Sequence, residues 1–224
     1  MFKSRMLDAI KQSRYIPPIW LAILIAIGFV YGGGILSFIG LLPIGIVVGL
    51  LLGFSDPTVN RTAAMAVLAP YTVFFQLAGF FFIALAVFLW VRYREKRPFS
   101  SLGFYKEDWF KNLLKGFLIG AVQFSIVVVL LLVTGTGSLK LGQVNLQSLV
   151  FVLAIIPFWI LQGGTEELVT RGWLFPAASA KSNIFIGILI SSALFGALHL
   201  FNPGVTILSI VNIILDGIFA CFLM

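Results

Sequence analysis

Residues 63–91 run for 29 positions without a charged side chain, and residues 17–52 run for 36. About 20 apolar residues in a helix cover the hydrocarbon core of a bilayer, and a backbone inside that core has to satisfy its own hydrogen bonds. Soluble domains carry roughly a quarter charged residues; here 10% are charged and 60% hydrophobic, with a mean hydropathy of +1.10. The short alternating segments of a membrane barrel are missing. The sequence therefore predicts an all-α, polytopic transmembrane helical bundle of about six segments, at 17–52, 63–91, 113–134, 148–165, 184–201 and 204–224, in a single domain spanning 1–224.

The first segment would be about 50 Å long as one helix, and it contains Gly32, Gly33, Gly34 and Pro43. The positive-inside rule favours one bent or tilted crossing. One crossing puts Lys3, Arg5, Lys11 and Arg14 on the same side as the seven basic residues of 92–115, and Arg171 and Lys181 join them. Thirteen basic residues then face the cytosol against two, Arg61 and Lys140, outside. The expected setting is a bacterial inner membrane, with a retained, cytosolic N-terminus. The net charge of +7 is read as topology rather than as a nucleic-acid footprint, because the basic residues sit between apolar runs without interleaved aromatics on a polar face. The loop 92–112 has a basic cluster together with Phe99, Phe104, Trp109 and Phe110. That composition fits either contact with anionic membrane lipids, with a short amphipathic helix from Tyr105, or an ordinary cytosolic anchor. Cys221 is the only cysteine and excludes an internal disulfide.

Three polar groups interrupt the last apolar segments. In GGTEELVTRGW, residues 163–173, Glu167 and Arg171 stand at i, i+4 with the acid first, the favourable order for a helical pair, while Glu166 points about 100° away. An unpartnered carboxylate in a membrane is a functional candidate by default; the alternative is that the segment has left the membrane and both acids are solvated. His199, the sole histidine, follows Phe195 by one turn in SSALFGALHLFNPG, as a satisfied core residue or a ligand. Ser209, Asn212 and Asp216 share one stripe of the last segment; interhelical hydrogen bonding accounts for the first two and less readily for Asp216. A carboxylate in an apolar pocket can act as a general base toward water, and an imidazole beside it can orient that water, bind a metal or donate to an oxyanion. There is no HExxH and no GxSxG triad. A zinc ion normally takes three protein ligands, so with one histidine it would need Glu166, Glu167 or Asp216 as well.

EELVTRG and FGALH resemble the EExxxR and FxxxH motifs of the CPBP family of intramembrane proteases, which includes type II CAAX prenyl proteases and bacteriocin-processing, Abi-type relatives. The basic REKRPFSSLGF loop, Pro176 after the first motif and Asn212 after the second agree in context, and the resemblance covers about residues 85–224. It implies an endopeptidase acting within a helical bundle on prenylated or leader-bearing protein or peptide substrates. The glutamate matching Glu166 would activate water, Glu167 would be its partner acid, His199 would hold the water or a metal such as zinc, and Arg171 would brace the site. Metal-dependent and metal-free mechanisms both stay open, as does the oligomeric state.

One departure qualifies the reading. Family members continue into further spans with a second histidine and an asparagine one turn later, HxxxN, whereas this sequence ends at Met224. The expectation is a truncated member, with Asn212 and Asp216 as the alternative stand-ins. A catalytically inactive scaffold or immunity-type protein is the competing function, and a proton or ion pathway through Glu166, His199 and Asp216 a third.

Overall fold

The computed structural model describes residues 5–51, 53, 60–140, 142 and 144–223, so Lys3, Leu52 and Met224 lie outside the described residues. All regular structure among them is helical. Helix α1 (Arg5–Lys11) precedes α2 (Ile19–Leu51), a single 33-residue helix that runs through Pro43. The second apolar stretch is broken into α3 (Arg61–Leu68), a 3₁₀ turn at Ala69–Tyr71, α4 (Thr72–Ala78), α5 (Phe80–Leu89) and a π-helical turn at Trp90–Glu95. Pro70, which has no N–H to give, sits at the first break. After a 3₁₀ turn at Phe99–Leu102 come α6 (Trp109–Val133), α7 (Leu146–Glu167), a π-helical segment at Leu168–Leu174 and α8 (Phe175–Lys181). The chain closes with α9 (Ile184–Leu198) and α10 (Ile207–Phe222).

Ile19–Leu51, Ala69–Glu95, Trp109–Val133 and Leu146–Lys181 are long and apolar enough to cross a membrane. Helices α9 and α10 are apolar but shorter than expected, at 15 and 16 residues, about 23 Å each. Local chemistry ends them. Asn183 caps α9 by accepting from the Ile186 N–H at 3.0 Å, and the NPG turn after His199 contains Gly204 at φ +75°. Thr206 and Ser209 form a reciprocal capping box that starts α10. Ser209 is thus a cap residue and not interhelical glue.

Two compact units are present. Residues 1–103 and 155–224 form one, and residues 104–154, with α6, form the other. In the second unit α6 starts at Trp109, and Tyr105 opens no separate amphipathic helix. None of its 25 residues is buried, which suits an apolar helix meant for lipid. In the first unit the core joins Ala22, Ala26 and Phe29 of α2 to Ala84 and Val87 of α5 and to Trp173 and Leu174. Of the three consecutive glycines in α2, Gly33 is the packing residue: a Cβ there would lie 2.7 Å from Ile83 Cα, whereas at Gly32 and Gly34 it would meet nothing. Small residues let two apolar helices approach closely where hydrophobicity alone cannot drive them together.

The REKRPF loop is partly buried, against the expectation of an exposed anchor. Glu95, Arg97, Ser101 and Leu102 are all at most 5% exposed. They sit at the end of this unit where α1 packs on α8 and on the Phe99–Leu102 turn. The Arg14 N–H donates to the Glu95 carbonyl at 3.0 Å, and the Arg94 guanidinium lies 4.1 Å from the Tyr15 ring centroid.

Candidate active site between the seventh and ninth helices

The GGTEELVTRGW stretch does not end a helix. Leu146–Lys181 is helical throughout, and Glu166 and Glu167 lie at the point where α-helical hydrogen bonding gives way to the π-helical segment. Residues 168–178 are all buried, whereas Glu167 just before them is exposed and Glu166 half-buried. One extra residue per turn in a π segment frees carbonyls from their ordinary partners, and such segments often mark functional sites. Hydroxyls fill in here: Thr170 Oγ1 donates to the Glu166 carbonyl at 2.6 Å, and Ser191 Oγ of α9 donates to the Thr170 carbonyl at 2.8 Å.

This register sends the two glutamates to different places. Glu167 pairs with Arg171, Nη1 to Oε1 at 3.0 Å, with the carboxylate half exposed and the guanidinium 2% exposed. Arg171 Nη1 also donates to Thr170 Oγ1 at 2.8 Å. A buried cation is tolerable only with such partners. Asp216 is within electrostatic reach of Glu167, and at its neighbour Gly217 a Cβ would lie 3.1 Å from Arg171 Nη2. A side chain at Gly217 would also crowd Ser192, with Cβ 3.2 Å from its Cα, so glycine gives α10 room to pass this close.

Glu166 is half-buried and accepts a hydrogen bond from Gln162 Nε2, one turn earlier, at 3.0 Å. It lines a cavity of about 190 Å³ with Gln162, Thr165, Thr170, His199 and Asn202, against apolar walls that include Phe80 and Leu198. His199 is the C-terminal cap residue of α9. Its Nδ1 lies 2.7 Å from the Phe195 carbonyl oxygen, which can only accept, so Nδ1 carries the proton and Nε2 is left for other work. The Phe195 ring meets His199 edge-on at 4.8 Å, and Arg171 stands 4.1 Å from the centroid of the same ring. The phenylalanine of FxxxH therefore joins both polar groups.

The sequence-derived candidates thus fall into two sets. Glu166 and His199 share the cavity; Glu167, Arg171 and Asp216 form a charged cluster beside it. Asn212 is exposed, and neither Asn212 nor Asp216 lines the cavity. Gln162 and Asn202 were not singled out from sequence. Gln162 was findable as the residue four before Glu166, and Asn202 as the amide three after His199 in HLFN. Among the described residues no three His, Cys, Asp or Glu side chains come together as a metal site. The cavity offers one imidazole and one carboxylate, short of the three protein ligands of a catalytic zinc.

Residues 147–224 match the family model described as Type II CAAX prenyl endopeptidase Rce1-like. No curated protein and no solved structure matches the chain.

Proposed function

Taking as premise the CPBP family of intramembrane proteases, which the match over residues 147–224 supports, we propose that the chain hydrolyses a peptide bond with Glu166 as general base. The observation that carries this reading is the shared cavity of Glu166 and His199. In the proposed step Glu166 and His199 Nε2 each accept a hydrogen from one water, which turns its lone pair toward the substrate carbonyl. As the C–O bond forms, one proton passes to Glu166; as the C–N bond breaks, that proton goes to the departing amine. The second water proton stays on the new carboxyl group and is lost to water once the product leaves, so the products are a carboxylic acid, which then ionises, and an amine. The Gln162 amide fixes the Glu166 carboxyl, and the Asn202 carboxamide offers an N–H to the carbonyl oxygen as negative charge develops there. Glu167, Arg171 and Phe195 brace the two catalytic side chains from behind.

A divalent metal such as zinc would polarise the carbonyl and acidify the water. The donor set among the described residues is too small to hold it, so no step is routed through it. Substrates fitting this cavity are peptide segments of prenylated or leader-bearing proteins that reach it from the lipid. The N-terminus is proposed to face the cytosol of a bacterial cell.

The test is cleavage of a panel of prenylated and leader-bearing peptides by the protein in liposomes. Glu166→Gln is expected to lower kcat about 10² to 10⁴-fold, the usual worth of a general base, while the protein stays folded. Cleavage by Glu166→Gln at the wild-type rate would refute the assignment. A well-folded wild-type protein that cleaves nothing in the panel would favour the inactive scaffold instead.

A further inference from the structure

The buried network around Glu95 is used by none of the chemistry above. Glu95 is 0% exposed. Its Oε1 accepts from the indole N–H of Trp90 at 2.8 Å and of Trp173 at 2.7 Å, and its Oε2 accepts from Arg97 Nε at 2.5 Å. Arg97 is 3% exposed and donates onward from Nη1 to Ser101 Oγ at 2.8 Å and to the Ser101 carbonyl at 3.1 Å. A buried carboxylate costs several kcal/mol unless its partners are fixed, and such networks more often specify one arrangement than add stability.

What this network fixes is the π-helical segment. Trp173 is the sixth of its seven residues and lies 78 positions from Glu95 in sequence. Next to it, a Cβ on Gly172 would sit 3.0 Å from the Leu102 carbonyl oxygen, so the Phe99–Leu102 turn presses directly on the segment. On the other side Thr170 and Arg171 are held by Ser191, Glu167 and Phe195. The segment is therefore clamped at both ends of its extra residue. Released at one end, it can relax to ordinary α-helix, which turns everything on one side of the bulge by about 100° relative to the other. Arg171 would keep Glu167, its i, i+4 partner in ordinary helix, but would turn away from the Phe195 ring of α9.

We infer that Glu95 is a positioning residue for the site: by holding the Trp173 indole it keeps the π register that sets Arg171 against the Phe195 ring, which in turn backs His199. The inference rests on the proposed protease reading for its consequence in catalysis, and on geometry alone for its consequence in structure.

Two tryptophans bonded to one carboxylate oxygen make the test. Trp173→Phe and Trp90→Phe each remove one indole N–H from Glu95, but only Trp173 lies on the π segment. Hydrogen–deuterium exchange of the 166–175 backbone is expected to rise at least tenfold in Trp173→Phe and in Glu95→Leu, which removes the shared acceptor, and to stay at the wild-type rate in Trp90→Phe. With a cleaved peptide, Trp173→Phe is expected to lower kcat about tenfold with KM within twofold of wild type, whereas Trp90→Phe keeps both. A general stabilising role predicts equal effects of the two tryptophan variants. Equal effects, or wild-type exchange in a folded Trp173→Phe, would overturn the inference. The exchange measurement needs no substrate, so failure of the protease reading alone, seen as no cleavage by the wild type, leaves it decisive.

Discussion

Phe195 carries two loads that its place in FxxxH does not announce. Its carbonyl fixes the His199 tautomer, and its ring lies against both Arg171 and His199. A ring face attracts a guanidinium that has lost its water, so one side chain ties the charged cluster to the imidazole. The donor count bears on the metal question at the same scale. His199 Nε2 and the Glu166 carboxylate are the imidazole and the carboxylate that the cavity offers, one short of the three protein ligands of a catalytic zinc, and the proposed step uses no metal. Dialysis against a strong chelator is therefore expected to leave kcat within twofold of its starting value; loss of activity restored by added zinc would show that further ligands join the site. The Glu167–Arg171 pair was legible in the sequence because helical spacing puts side chains four apart on one face. Gln162, Asn202 and Glu95 were not singled out. An amide gives no sign of its partner, and a glutamate flanked by Arg94, Lys96 and Arg97 reads as part of a solvated charge run.

Hydropathy locates a helix by length but is blind to how it ends or how it is wound. The apolar run 148–165 stops at Glu166 because charge appears, whereas the helix goes on to Lys181 because Arg171 is neutralised by a neighbour and the segment after it is packed on all sides. A π turn has no composition of its own. It arises from contacts at its two ends, here Trp173 with Glu95 and Thr170 with Ser191, which lie far apart in sequence. Gly172 is the residue that lets the Phe99–Leu102 turn lie on it. Gly172→Ala puts a methyl at 3.0 Å from the Leu102 carbonyl oxygen, tighter than ordinary contact, and the backbone on both sides has to move. Overpacking of this kind costs about 1 to 3 kcal/mol. The expected outcome is a lower thermal midpoint in detergent, and an unchanged midpoint would mean that the turn can retreat at no cost. Gly164→Ala, where a Cβ meets nothing, is the control.

For the whole molecule the question is which ends of the helices lie together, and contacts within the larger unit constrain it without any membrane being present. Residues 13–15 touch residues 94–95 through the Arg14 N–H, the Ser13 hydroxyl and the Tyr15 ring. On this ground we propose that the chain between them crosses the bilayer an even number of times. Helix α2 as one crossing and Ala69–Glu95 as the second satisfy this; two crossings by residues 17–52 would make the total odd. With the contact of α1 with α8, the same proposal has an even number again between residues 95 and 181, with α6 and the long α7–α8 helix as the candidate spans. The one-crossing arrangement expected from charge is the one this proposal adopts. The sidedness we propose rests on the basic residues at that shared end, which resist translocation; it predicts the link between α6 and α7 on the far side. Cys221 is buried, so single cysteines can report. Ser100 and Ser138 are both exposed and flank α6, whose 25 residues extend about 38 Å. In intact cells a membrane-impermeant maleimide is expected to label Ser138→Cys and to reach Ser100→Cys only after permeabilisation. Labelling of both from one side would mean that α6 does not span; the reverse pattern would place the basic end, and with it α1 and the Glu95 network, outside the cell.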